Sequence, residues 1–381
     1  MHDKHINFMR KLLTTDISKI ILVFITWKAL SIVIAQLSTF FIIPQTNFLG
    51  KQFVQNNLDF RLWTWANFDG EHYLWIAKNG YRPLEYAFFP LYPFLVRVFD
   101  FFINDYILTG ILISTISTLA FLIIVYELFK LDYSKEIVFK GIILFLSFPG
   151  ALYLNSVYNE ALFLFFVAMA FLSIRTNKYF ITMIFAILAS ATRVVGFFLI
   201  PTLLIIWFKN SKRILYLIYI LIGSSGLLFV IIFNYINTGD PFFFAHVQKY
   251  MGAQRTTEKI IFLPQVIVRY FKIFSTVDIK NLLFFTAAQE FILSMASVGF
   301  IIFYIKKIRF EYLLFSATVI LFPTLTGTLN SMPRYILAAF PIFFSLAQLL
   351  KGKLSFTVVT TAFIIVQIIN IALFTNAYWV S

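Results

Sequence analysis

The 381-residue sequence has no cysteine, which excludes disulfides, thiolate nucleophiles and Cys-ligated zinc. Histidine is scarce too: His2, His5, His72 and His246 show no HExxH or paired-ligand spacing, so no metal site is expected. Charge is thin, at 13% Asp, Glu, Lys and Arg, against about 25% in a soluble domain. Neither a glycine-rich phosphate loop nor a strand–helix alternation occurs, which excludes a nucleotide-binding domain of the Rossmann or P-loop kind. Low-complexity linkers and clear internal repeats are also missing, and the lack of inverted repeats speaks against a secondary transporter.

Apolar residues fill that space. They make up 60% of the chain, with a mean hydropathy of +0.86, and burying so much apolar surface requires lipid. The expected fold is an all-α, polytopic integral membrane helix bundle. The net charge of +14 does not point to nucleic acid, because Lys and Arg sit in short clusters between apolar runs rather than along one face. They mark topology and contact anionic membrane lipids.

A membrane helix needs about 20 apolar residues. Runs of suitable length predict 11 spans in a single domain covering 1–381, near 20–43, 105–129, 138–155, 160–175, 179–193, 194–208, 213–234, 280–305, 311–329, 334–350 and 354–377. The first run follows the basic residues Lys4, Arg10, Lys11 and Lys19 without a cleavage site, so it is expected to be retained. Under the positive-inside rule the remaining clusters, Lys130/Lys135/Lys140, Arg175/Lys178, Lys209/Lys212/Arg213, Lys306/Lys307/Arg309 and Lys351/Lys353, fall on the cytoplasmic side with the N-terminus. This requires the segment from Tyr86 to Ile103, with Pro90, Pro93, Arg97 and Asp100, to lie at the interface or re-enter instead of crossing.

Two long segments, 44–104 and 235–279, are then extracytoplasmic and hold most of the polar chemistry. In the stretch FDGEHYLWIAKNGY (68–81), a surface helix places Asp69, His72, Tyr73 and Ile76 on one face. Trp63, Trp65 and Trp75 suit the water–lipid boundary, which puts the carboxylate at headgroup depth. Asp69 has two readings, an N-cap before Gly70 or a catalytic group. Glu71 points away from that face and is a secondary candidate; Asp59 and Glu85 read as solvated loop charges. Pro241 after Gly239 and Asp240 marks a turn, followed by Lys249, Arg255 and Lys259, which are either solvated charges or contacts to anionic headgroups or acceptor. Ionisable residues inside the spans amount to little beyond Lys28 and Glu127. Lys28 needs a partner or an aqueous exit.

The ordered set FDGEHYLWIAKNGY, AFFPLYP, SFPGALYLNSVYNEALFLF (147–165), ATRVVGFFLIP (191–201), TGDPFFF (238–244) and SMPRYILAAFP (331–341) resembles the PIG-V mannosyltransferase family, and in particular its prokaryotic members. The resemblance spans roughly residues 60–345 and implies a glycosyltransferase of the GT-C type. Such a fold carries surface helices and an essential acidic residue in its first extracytoplasmic loop. It also implies a polyprenyl-phosphate-linked sugar, mannose by family, as donor and an extracytoplasmic glycan or glycolipid as acceptor, with inversion at the anomeric carbon. The expected setting is a prokaryotic plasma membrane. Asp69 falls at the position of the family's loop carboxylate and is the expected general base. Arg193 and Arg334, at the outward ends of their spans, are candidates to stabilise the departing lipid phosphate; snorkelling to the interface, or a structural pair with Glu160, is the alternative. Glu160 is a second acid, a partner for a sugar hydroxyl or a helix-start charge. His72 either orients Asp69, binds phosphate or is a bland surface residue, and Tyr335 neighbours Arg334 in the same motif. No cofactor is expected; a divalent metal, possible with lipid-pyrophosphate donors, finds no tight carboxylate cluster. A transporter or flippase of lipid-linked sugars is the competing class. Oligomeric state is not legible here.

Overall fold

The structure, a computed structural model, describes residues 15–45, 61–252, 255–256, 259–305 and 308–381. Lys4, Arg10, Lys11, Asp59, Glu258 and the Lys306/Lys307 pair, along with His2 and His5, lie outside the described residues. Seventeen helices are described: α1 (Thr15–Leu37), α2 (Asp69–Asn79), α3 (Leu91–Ile103), α4 (Tyr106–Phe129), α5 (Lys135–Ser147), α6 (Glu160–Arg175), α7 (Tyr179–Thr192), α8 (Leu199–Asn210), α9 (Ile214–Ile222), α10 (Ser225–Thr238), α11 (Phe243–His246), α12 (Leu263–Thr276), α13 (Leu282–Tyr304), α14 (Phe310–Thr324), α15 (Met332–Ala338), α16 (Pro341–Leu349) and α17 (Lys353–Thr375). Among the described residues the strand-like pairing is confined to one bridge, between Ile261 and Thr326.

Five helices are long and apolar enough to cross a membrane, namely Asp16–Phe40, Tyr106–Phe129, Ile214–Thr238, Leu282–Tyr304 and Lys353–Thr375. The protein is an integral membrane helix bundle. The apolar run at 334–350 is broken into α15 and α16, which meet at 81°; the break leaves polar backbone ends inside the protein, where a membrane protein tolerates them only beside protein or a cavity.

The core is built on α6, sandwiched between α4 and α7, with α5 against α16 and α9 and α10 against α7. Small residues allow the tightest approaches. A methyl group on Gly226 of α10 would come within 2.0 Å of the Ile187 carbonyl of α7. At one end, Asp132 ties three elements together: Arg175 grips it with two nitrogens at 2.7 and 3.0 Å, and Arg309 Nε adds a bond of 2.6 Å.

At the opposite end lie α2 and α3. α3 buries Tyr92, Pro93 and Val96 and turns Phe94, Phe101 and Phe102 outward. With 13 residues it is about 20 Å long, too short to cross the hydrocarbon, and its two-sided character suits the interface.

Candidate functional site

Asp69 opens α2, but it does not cap it. The N-cap position belongs to Phe68, whose backbone sits at φ +60°, and no side chain caps the helix there. That turn is held by its surroundings. Val157 N–H donates to the Trp65 carbonyl at 2.9 Å, Tyr158 Oη donates to the Asn67 carbonyl at 2.9 Å, and Asp69 N–H donates to Tyr158 Oη at 3.2 Å. Asn67 Nδ2 reaches the Phe374 carbonyl of α17 at 2.8 Å, and the Phe68 ring sits against Phe374 and Trp379.

The Asp69 side chain is thereby free to pair across the bundle. Arg334 Nη1 donates to Asp69 Oδ2 at 2.6 Å, and Arg334 Nε donates to Glu160 Oε1 at 2.6 Å. Arg193 Nη1 also donates to Glu160 Oε1 and, at 3.0 Å, to Asn159 Oδ1. Two guanidiniums and two carboxylates form one connected unit, and the Arg334 head is flanked by the rings of Tyr153 and Tyr158 at 5.1 and 4.9 Å. Arg193 lies 5.6 Å from the centre of the Tyr335 ring. Burial here is tolerated because every charge has an opposite partner at hydrogen-bond distance.

Local structure delivers each member. Glu160 is the first residue of α6, where the helix dipole favours a negative charge. Arg193 follows the last turn of α7 in extended backbone. Arg334 rides on α15, which starts from Ser331 at φ +65°. Gly150 lets the neighbouring 149–154 turn approach α15, since a methyl group there would stand 2.7 Å from the Pro333 carbonyl.

The group borders a cavity of about 980 Å³ whose wall includes Asp69, His72, Arg193, Arg334 and Tyr335. His72 Nδ1 lies 3.1 Å from Glu85 Oε1, and Arg82 Nε donates to the same oxygen at 2.8 Å. Glu85 is therefore no solvated loop charge: it is fully buried under the α2 surface. Burial pushes its carboxyl up, and hydrogen bonds from His72 and Arg82 outweigh this and hold it below the ordinary glutamate range. Glu71 is also buried, on a side of α2 that does not reach the cavity wall. Lys28 finds its partner in Asn155, with Nζ 3.2 Å from Oδ1, away from the wall.

The segment after α10 closes the other side. Asp240 accepts from Phe242 N–H at 2.9 Å, forming the turn expected at TGDP, and Oδ2 lies 2.6 Å from His246 Nδ1. Phe243 and Phe244 then pack on Tyr86 and Phe89, joining the two loop regions over the cavity. One carboxylate on the wall escaped the sequence reading. Glu290, on α13, takes hydrogen bonds from Tyr270 Oη, Ser381 Oγ and, at 3.2 Å, Ser331 N–H. Its signal was a single acid inside an apolar run. Among the described residues no three His, Asp or Glu side chains converge to hold a metal ion.

Helical membrane architecture, a broken penultimate span and surface helices over a cavity edged with charged side chains give the protein a membrane fold of the GT-C type. Residues 9–250 match the family model described as mannosyltransferase (PIG-V), more than half of the chain, and the protein belongs to that family. No curated protein matches in sequence. Among solved structures, the chain is similar to ArnT from Cupriavidus metallidurans bound to undecaprenyl phosphate, with a TM-score of 0.50 and 13% identity over 89% of this chain and 62% of that one. The oligosaccharyltransferase of Archaeoglobus fulgidus tethered to an acceptor peptide has a TM-score of 0.45 and 12% identity over 93% of this chain and 55% of that one. The protein thus spans less than two thirds of either chain, and the likeness is one of fold.

Proposed function

We propose that the protein transfers a hexose, mannose by family, from a polyprenyl-phosphate-linked donor to a glycan or glycolipid acceptor on the extracytoplasmic side of the membrane. The observation that carries this reading is the Asp69 carboxylate, fixed by Arg334 on the wall of a large cavity at the end of the bundle where the surface helices lie.

The chemistry is an inverting displacement. An acceptor hydroxyl attacks the anomeric carbon from the face opposite the phosphate; the new C–O bond forms as the bond to the phosphate oxygen breaks. Asp69 takes the hydroxyl proton, and the bonding electron pair leaves with the lipid phosphate. Arg334 keeps the base aimed, because its two donors pin Asp69 and Glu160 together. Arg193 and Tyr335 complete the wall, and His72, backed by Glu85, offers a ring nitrogen to a substrate hydroxyl or phosphate. Glu160 serves as the anchor for both arginines. No cofactor enters: the donor carries its own activated bond.

The test is a reconstituted assay with polyprenyl-phosphate mannose, comparing the native chain with Asp69→Asn. Retention of full transfer by the variant removes Asp69 from the reaction. Mass spectrometry of glycans and glycolipids from cells with and without the gene names the acceptor.

A further inference from the structure

Among the described residues, four cations line the cavity: Arg193, Arg255, Lys259 and Arg334. Two of them are not available to a new anion. Arg193 and Arg334 are bonded to Glu160 and Asp69, and this quartet is formally neutral. A sugar–phosphate diester brings a negative charge into the cavity, and that charge needs a partner of its own.

The segment between α11 and α12 supplies one. Arg255 Nη1 donates to Gln248 Oε1 at 2.6 Å, a neutral acceptor that fixes the guanidinium without cancelling its charge. Lys259 is exposed, and among the described residues neither it nor Arg255 forms an ion pair with a carboxylate. Both are anchored to the far wall. Thr256 N–H donates to the Thr326 carbonyl and Ile261 N–H to the Leu325 carbonyl, each at 3.0 Å, and Arg269 Nη1 donates to the Gly327 carbonyl at 2.7 Å. The same cavity wall carries the apolar Met251, Ile260, Leu283 and Phe322, together with Glu290, whose carboxylate is held by Tyr270, Ser381 and Ser331. A charged point next to an apolar wall fits a phosphate on a hydrocarbon chain.

We infer that Arg255 and Lys259 bind the phosphate of a lipid-borne phosphate substrate, and that Arg193 and Arg334 position the base rather than hold the leaving group. This rests on the donor class proposed above. It assigns the acceptor hydroxyl to the neutral quartet and the lipid phosphate to the Arg255 and Lys259 pair.

The experiment measures binding, not transfer. The full chain in nanodiscs is titrated with undecaprenyl phosphate, with neutral undecaprenol, and with undecaprenyl phosphate in competition with phosphatidylglycerol, for the native protein and for Arg255→Gln and Lys259→Gln. Each variant is expected to bind undecaprenyl phosphate about tenfold more weakly, to bind undecaprenol as the native chain does, and to unfold at the native temperature; Lys259→Arg restores the affinity. Unchanged affinity in both variants overturns the inference. So does an equal loss for undecaprenol, which would place the effect in the apolar wall, and so does equal displacement by phosphatidylglycerol, which would assign the cations to bulk headgroups. A protein that binds through Arg255 and Lys259 but transfers no sugar upholds this subsite and sinks the transferase mechanism. One that transfers sugar with binding indifferent to both residues sinks the subsite alone.

Discussion

Arg334 and Asp69, separated by 265 positions in the chain, share a hydrogen bond of 2.6 Å at the edge of the cavity. The same guanidinium holds Glu160 through Nε, so a single planar head fixes two carboxylates in one geometry. Lysine, a compact ammonium with three rotatable donors, lacks that fixed planar fork.

Arg334→Lys therefore separates charge from geometry. We expect it to keep the fold and to lower kcat by on the order of a hundredfold through misplacement of Asp69, with a smaller change in KM. Single-turnover kinetics with saturating donor reads this directly; a native kcat would show that the orientation of Asp69 does not matter.

Glu160→Gln removes the charge that both arginines share. Breaking a buried ion pair by deleting one partner costs about 3–5 kcal/mol, and here Arg193 loses its counter-charge while Arg334 is left with Asp69 alone. Thermal unfolding in detergent should drop sharply. The exposed Glu127–Lys130 pair, at 2.9 Å, is the control, since surface pairs contribute about 0–1 kcal/mol and Glu127→Gln is expected to shift the midpoint little.

Glu85 makes a pH-dependent contribution. Its folded pKa lies below the unfolded value, about 4.3 for a free glutamate, so the stabilisation is fully present above that value and is lost as pH falls through the depressed folded one. The native chain should lead Glu85→Gln in melting temperature by a constant margin at neutral pH, and the margin should close in acid below the free-glutamate value. A margin that widens in acid would mean that the carboxyl is held protonated.

The lack of native cysteine makes sidedness simple to test. Cysteines placed singly at Lys249 and at Lys178 should react with a membrane-impermeant maleimide on opposite sides of intact cells, Lys249 from outside and Lys178 only after permeabilisation. The swapped pattern would reverse the proposed orientation, and labelling of both from the same side would overturn the number of crossings between them.

Much of this was readable beforehand, and the failures have a common cause. Hydrophobic run length and the ordered motifs indicated a helical membrane protein of this family; Asp69 stood out in the surface-helix motif of the first loop, and Glu160, Arg193 and Arg334 because charges at the ends of apolar runs need a reason to be there. The capping reading of Asp69 fell to a fact with no local trace: Phe68 occupies the N-cap position at positive φ, in a turn stabilised by Tyr158 and by α17. Glu85 looked solvated because its partners His72 and Arg82 come together only when the 83–87 turn folds under α2. Glu290 was overlooked inside an apolar stretch, and its bonds to Tyr270 and Ser331 belong to tertiary structure alone. In each case the sequence showed a charge and concealed its partner.

The bond from Asn67 to the backbone of α17 also has a bearing on biosynthesis. The turn that aims Asp69 leaves the ribosome early, but its clamp is made by one of the last helices to be inserted, and Arg334 too arrives late. A half-made chain in the translocon thus holds Asp69 unaimed and without Arg334, and the proposed transfer has to wait until the distal helices are inserted.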